Sequence, residues 1–244
     1  MAGRVRRIHV GLRPEDEGRG RIAKIFLRFR YLRQLIRSER PDVVISFTRR
    51  PNYRALIAAI GTKTPVITAV RQDPKSYYNS MADRILIPLL YPRAAGCVFQ
   101  TREQMESFPK ALQKRSAIIL NPVNDKYLDV PEGGKKEKLV VQSGRLVEFK
   151  NQAMLLRAFV KVHEKHPDYS LKIYGPDSFD GTRERLEAII SKNHAGSYIA
   201  LMGGSDFLEK ELPKAAVYAF SSDYEGMPNP LLEAMTMGMP VVMA

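Results

Sequence analysis

The strongest constraint on what this 244-residue chain can fold into is an alternation. Short runs of β-branched and apolar residues recur along its whole length, with helix-patterned stretches between them. Strands separated by helices cannot be joined as hairpins, so they point to parallel sheets with helices on their faces, a parallel α/β architecture. In the first half the expected strands are Val5–Leu12, Asp42–Phe47, Pro65–Val70, Gly96–Thr101 and Ala117–Leu120. In the second half they are Leu139–Ser143, Leu171–Tyr174, Tyr198–Met202, Val217–Ser221 and Pro240–Ala244, with helices expected over about 151–165, 181–193, 206–214 and 229–237. The charged, glycine-rich stretch from Asp129 to Lys138 interrupts the pattern. It reads as a linker over 131–138, dividing residues 1–130 from 139–244. Two Rossmann-like domains follow, with ligand expected in a cleft at the carboxyl ends of the strands.

Composition narrows the classes. Hydrophobic content of 44% and charged content of 27% describe a globular chain, not a disordered one. The longest apolar stretch, Ile85–Tyr91, is too short and too broken by Pro88 to span a bilayer. No apolar segment follows the early arginines, so no signal peptide is read there. The single cysteine, Cys97, is expected as a buried strand residue, and a cytoplasmic setting is expected from a chain with no internal disulfide. The net charge is +13, and residues 1–50 hold thirteen Arg and one Lys against five acids. Residues 21–37 are expected to form a helix with Ile22, Ile25, Phe26, Phe29, Leu32 and Ile36 on one face, flanked by Arg21, Lys24, Arg28, Arg33 and Arg37. Its apolar face would lie in the core, its basic side either solvated or resting on an anionic membrane surface. No nucleic-acid reader motif accompanies the charge, so no nucleic-acid partner is expected. His163 and His166 read as helix C-terminal charges, not as metal ligands.

Two segments carry chemistry. The run Ser221–Met235 contains Glu225 and Glu233, eight positions apart, on either side of Gly226-Met227-Pro228-Asn229. Asn229 is expected to cap a helix and Pro230 to occupy its first position, and a helix start of this kind favours an anion such as phosphate. The run Ser143–Gln152 leaves a strand through Gly144 and enters a helix, carrying Arg145, a planar fork for phosphate oxygens, and Lys150, a mobile point charge.

Arg145–Gln152, Leu171–Gly175 and the Ser221–Val242 run together resemble the retaining family 4 glycosyltransferases of the GT-B fold. Among these they resemble the bacterial enzymes that build polysaccharides and lipid-linked oligosaccharides. Arg40–Phe47, Gly61–Ile67, Arg71–Pro74 and Leu120–Val123 extend the resemblance over nearly the whole chain. It implies two domains facing across a cleft, a nucleotide-sugar donor (UDP-linked) and a lipid-linked saccharide acceptor. It implies that Arg145 and Lys150 grip the donor diphosphate and stabilise the leaving group, that Glu225 sits near the donor sugar, and that Glu233 holds the ribose hydroxyls. Gly144, Gly226, Met227, Pro228 and Asn229 would line the donor site. Where many members carry a histidine this chain has Arg71-Gln72-Asp73, which makes Arg71 and Asp73 the acceptor-side candidates. No Asp-x-Asp occurs, so a metal-independent enzyme with no cofactor is expected, peripheral on the inner leaflet of the cell membrane. Members of the family begin with an earlier strand and continue past a strand like Pro240–Ala244, so both domains are expected to be incomplete and turnover by this chain to be weak. A nucleotide- or membrane-binding remnant without turnover is the alternative.

Overall fold

The computed structural model describes residues 5–129 and 134–244. Packing divides the chain into two units, Met1–Leu120 and Asn121–Ala244.

The first unit contains α1 (Arg21–Glu39), β1 (Val44–Phe47), α2 (Arg49–Ala58), β2 (Val66–Ala69), α3 (Pro74–Tyr77), α4 (Met81–Leu90), β3 (Gly96–Phe99), α5 (Arg102–Glu106), α6 (Lys110–Gln113) and β4 (Ala117–Ile118). Its sheet is parallel throughout, in the order β1-β2-β3-β4. The core gathers Leu56, Val66, Tyr91, Phe99, Phe108 and Leu112. Cys97 lies buried in β3, and burial pushes its thiol up to about 12. Residues 5–12 form no strand, and β1 is left as an edge of the described sheet.

The helix over residues 21–37 forms, but its expected core face does not. Leu27 and Ile36 are buried and Phe29 and Leu32 half-buried, while Ile22 and Phe26 are 85% and 68% exposed. The carboxyl-terminal part of α1 leans on α2, and nothing described covers its first two turns.

Asp83, on α4, is a buried charge of this unit, as is Asp16. It accepts from Tyr53 (2.7 Å), from Arg49 (3.0 Å) and from the Ser80 hydroxyl (2.5 Å). Burial acts to raise its pKa, but the Ser80 and Tyr53 hydrogen bonds and the Arg49 charge outweigh it and hold the carboxyl below its usual range.

The second unit contains β5 (Glu137–Ser143), α7 (Gln152–Lys165), β6 (Ser170–Tyr174), α8 (Thr182–Lys192), β7 (Ile199–Gly203), α9 (Leu208–Glu211), β8 (Ala215–Phe220), α10 (Asn229–Thr236) and β9 (Val241–Met243). Its sheet is also parallel, in the order β7-β6-β5-β8-β9. Alternate residues of β5 serve opposite faces. Leu139 and Val141 pack with Leu231 and Ala234 of α10, whereas Val140 joins Leu156 of α7 and Leu186 of α8. The order runs outward from β5 to β7 and then resumes on the other side of β5 with β8. That reversal is a topological switch point, where the loops leaving β5 and β8 diverge to opposite faces and open a crevice.

The boundary between units differs from the expected linker. Residues 131–133 of it lie outside the described residues, and Glu137 and Lys138 already belong to β5. The division falls earlier because Asn121 and Tyr127 have their partners in the second unit.

Replacing Asp83 removes the acceptor that Tyr53, Ser80 and Arg49 share. Asp83→Ala is expected to cost the first unit roughly 3 kcal/mol, read as a lower urea midpoint. Because the folded pKa is depressed, the stability Asp83 contributes is present above the ordinary carboxylate range. It is lost as pH falls through the lower folded value, so the variant's deficit shrinks at acid pH.

Candidate functional site

The two chemistry-bearing segments leave neighbouring strands. β5 ends at Ser143 and β8 at Phe220, and parallel pairing of Val140 with Val217 and of Val141 with Tyr218 puts both exits on one edge. The loops are then stitched together. The Tyr218 hydroxyl donates to the Ser143 carbonyl (3.2 Å) and receives the Ser143 N–H (3.3 Å). Gln142 donates to Ser221 Oγ (2.7 Å), which in turn donates to the carbonyl of Lys150 (2.8 Å). Further out, the Asp223 N–H donates to the Phe149 carbonyl (2.9 Å), Asn151 Nδ2 to Asp223 Oδ1 (2.7 Å), and the Phe149 and Tyr224 rings stack at 5.2 Å.

This stitching delivers Lys150 to Glu225. The ammonium donates to Glu225 Oε1 at 2.5 Å, with both side chains largely buried, and the ammonium also lies near the faces of Phe149 and Phe220. The pair is a cation and an acid held together at the switch point. Arg145 does not join them: it is exposed, only its carbonyl is engaged, by Gln152 (2.9 Å), and among the described residues its guanidinium has no partner.

Gly144 has φ of +145°, a region open essentially to glycine, and this lets the chain turn out of β5. Gly175 packs directly beneath it, since a Cβ there would stand 1.9 Å from the Gly144 carbonyl oxygen.

The loop Gly226–Pro228 is half-buried and enters α10. Asn229 is not the expected cap. Pro228 occupies the N-cap position, Asn229 is the first helical residue and Pro230 the second, and no side chain caps the helix. The Asn229 carboxamide oxygen instead accepts from Asn121 Nδ2 (2.7 Å), which also donates to the Met227 carbonyl (2.8 Å). No side chain caps this helix start; Pro230 has no N–H and the Leu231 and Leu232 N–H groups turn back to the Pro228 carbonyl, so what the start offers an anion is the Asn229 N–H and the positive end of the helix dipole.

Glu233 sits on α10, half-buried, with the buried Tyr127 hydroxyl as hydrogen-bond partner. Burial raises its carboxyl above the usual range, against the opposing pull of Tyr127 and the Lys126 charge. Tyr127 is itself pushed up to about 12, first by burial and then by the Glu233 charge. Lys126 is anchored to Glu209 (3.1 Å). The structure therefore gathers Lys150, Glu225, Glu233 and the 226–229 loop in one unit around β8. Burial pushes the Tyr218 hydroxyl up to about 12, and the charges of both glutamates add to that rise.

Arg71 and Asp73 lie in the first unit. The Asp73 carboxylate caps α3, accepting from Lys75 N (3.2 Å), Ser76 N (3.1 Å) and Ser76 Oγ (2.8 Å). Arg71 is exposed just beyond β2. His163 is not a solvated charge: its Nδ1 meets the Tyr169 carbonyl (2.9 Å) and its ring stacks on Tyr198. Asn121, Tyr127, Ser221 and Tyr218 are site residues that the spacing of charged groups did not single out. Their partners lie up to 108 residues away, and only the strand order brings them together.

Two parallel sheets with this arrangement of helices define the GT-B fold of glycosyltransferases. Anabaena HepE, solved with UDP and glucose, has a TM-score of 0.75 at 16% identity, over 92% of this chain and 64% of that one. S. aureus TarM has a TM-score of 0.71 at 17% identity, over 88% and 44%. Residues 124–244 match the family model described as glycosyl transferases group 1, and this segment is a group 1 glycosyltransferase domain. Among sequence relatives, an uncharacterized glycosyltransferase of Methanocaldococcus jannaschii is 28% identical over 90% of this chain and 59% of its own length. The N-acetylgalactosamine-N,N'-diacetylbacillosaminyl-diphospho-undecaprenol 4-alpha-N-acetylgalactosaminyltransferase of Campylobacter jejuni is 29% identical, over 89% and 61%. The chain spans about six tenths of the length of these relatives.

Adding a methyl group at Gly175 forces the Gly144 carbonyl, and with it Arg145, out of place. Gly175→Ala is expected to destabilise the second unit by about 1–3 kcal/mol and to weaken UDP binding, measured by thermal unfolding and calorimetry on the same preparation.

Proposed function

We propose that the chain acts as a glycosyltransferase that moves a hexose or N-acetylhexosamine from a UDP-sugar to a lipid-linked or polysaccharide acceptor, with retention at the anomeric carbon. The observation that carries this reading is the Lys150–Glu225 pair beside the uncapped start of α10, at the switch point of the second sheet. Departure of a nucleoside diphosphate leaves negative charge on its oxygens and positive charge on the sugar ring. Lys150, Arg145 and the positive end of the α10 dipole meet the first charge, and Glu225 lies beside the second. Fixed groups of this kind in a water-poor site are worth several kcal/mol of barrier. Arg145, exposed and with no guanidinium partner among the described residues, is free to close on the diphosphate. Glu233, oriented by Tyr127, accepts from the ribose hydroxyls. Gly144, Gly226, Met227, Pro228 and Asn229 line the donor, and Arg71 and Asp73 stand on the acceptor side. The Campylobacter relative, whose name specifies a diphospho-undecaprenol acceptor, supports a lipid-linked substrate. No described helix is long and apolar enough to cross a membrane, and the basic α1 fits a peripheral contact with an anionic inner leaflet.

Two measurements test this. Arg145→Ala and Lys150→Ala are each expected to weaken UDP affinity about tenfold or more; unchanged affinity in Arg145→Ala removes the diphosphate assignment. UDP binding without sugar transfer in a radiolabelled assay would leave a nucleotide-binding protein without turnover.

The second concerns pH. Glu233 must be ionised to accept from ribose, and its pKa is raised, so UDP affinity is expected to fall as pH drops through a value above the ordinary carboxylate range. The Tyr127 bond lowers that value, so in Tyr127→Phe the loss is expected to begin at higher pH, read by calorimetry across pH 4–8.

A further inference from the structure

The loop that carries Glu225 into α10 has little backbone support of its own. Among the described residues the N–H groups from Tyr224 to Met227 donate to no backbone carbonyl, and Pro228 has none to donate. Side chains hold the first half of the loop: Tyr224 stacks on Phe149, and Glu225 meets Lys150. The second half, Met227 to Asn229, takes its side-chain hydrogen bonds among the described residues from Asn121. The Asn121 backbone N–H meets Met227 Sδ at 3.2 Å. The two hydrogens of Asn121 Nδ2 go to the Met227 carbonyl (2.8 Å) and to Asn229 Oδ1 (2.7 Å). A backbone carbonyl only accepts, so the group that Asn121 turns toward Met227 is its NH2. The same nitrogen obliges Asn229 to present its carboxamide oxygen, which leaves the Asn229 NH2 over. Asn229 is exposed, and among the described residues its Nδ2 has no partner. Two N–H donors therefore stand open at the first residue of α10, beside the positive end of the helix dipole.

We propose that Asn121 is a positioning residue for the sugar-bearing half of the donor, anchoring the Gly226–Asn229 loop and turning the Asn229 amide so that its N–H groups meet oxygens of the distal phosphate and the sugar. The role toward the sugar rests on the function proposed above; the anchoring does not. Orientation decides the sign of the Asn229 contact. With NH2 outward the side chain donates to a phosphate or hydroxyl oxygen, whereas with the oxygen outward it repels a phosphate. Pro228 and Pro230 restrict the backbone on either side of Asn229, so the freedom left to remove is that of its side chain. The stretch that begins at Asn121 divides its work. Tyr127 sits on Glu233, on the ribose side, and Lys126 is anchored to Glu209 and the Asp206 carbonyl. Asn121 alone among these three reaches the loop that follows Glu225.

The test is calorimetric titration of the full chain with UDP-N-acetylglucosamine and with UMP, which lacks the distal phosphate and the sugar. In Asn121→Ala the affinity for UDP-N-acetylglucosamine is expected to fall about fivefold or more, with UMP affinity kept within about twofold. Asn229→Ala is expected to cost as much, and the double variant no more than either single one, because one residue acts through the other. In the ligand-free chain, 15N relaxation order parameters of the Gly226 and Met227 amides are expected to fall in Asn121→Ala, with those of β5 unchanged. Unchanged affinity for UDP-N-acetylglucosamine, equal losses for the two ligands, additive losses in the double variant, or unaltered order parameters would each overturn the proposal. If Asn121→Ala lowers the thermal midpoint, Asn229→Ala, at an exposed residue, carries the ligand comparison. An unaltered chain that binds neither nucleotide removes the donor-site reading and the role toward the sugar, and the relaxation comparison then decides the anchoring by itself. Nucleotide binding that both variants leave untouched keeps that reading and overturns this one.

Discussion

The site depends on one piece of backbone pairing. β5 and β8 are neighbours in the sheet although 71 residues separate the end of one from the start of the other. Parallel pairing fixes both carboxyl ends on one edge, and the switch in strand order sends their loops to opposite faces, which leaves room between them. The polar stitching then sets the loops to within a hydrogen-bond length. Tyr218 holds Ser143, and Ser221 holds the carbonyl of Lys150. A salt bridge between Lys150 and Glu225 would be a weak organiser by itself, because desolvating two charges offsets most of their attraction. It is held by a framework of neutral hydrogen bonds that carry no such penalty.

Charge is handled in two ways along the chain. In the second unit cations and acids meet: Lys150 with Glu225, Lys126 with Glu209, Lys138 with Asp168. In the first unit Arg49 of α2 pairs with Asp83, whereas Arg28 of α1 and Arg50 and Arg54 of α2 line one groove that has no acid in its lining. Unrelieved like charge costs stability in the free protein. The exposed first turns of α1 belong to the same picture, since an apolar face that no other element covers lies beside cations that no acid neutralises.

Much of the fold was legible in the sequence because period and punctuation act locally. Nine of the expected strands form close to their predicted bounds, and α7, α8 and α10 begin and end within a residue or two of expectation. The failures have a common origin. Residues 5–12 alternate like a strand but pair with no other strand among the described residues. The α1 pattern marks an apolar face without saying whether anything covers it. Asn229 has the chemistry of a cap, and its side chain is claimed by Asn121 across 108 residues.

The sequence by itself determined the parallel α/β class, the succession of strands and helices, and the charged groups of the two loops that leave β5 and β8. Those follow from side-chain chemistry and from interactions within a few residues. Only the tertiary structure decided that Lys150 meets Glu225 while Arg145 stays open, that Tyr127 sits on Glu233, that Asn121 shapes the loop entering α10, and that Arg28, Arg50 and Arg54 share one groove. Each of these joins residues far apart in the chain, and strand order and helix packing set their distances.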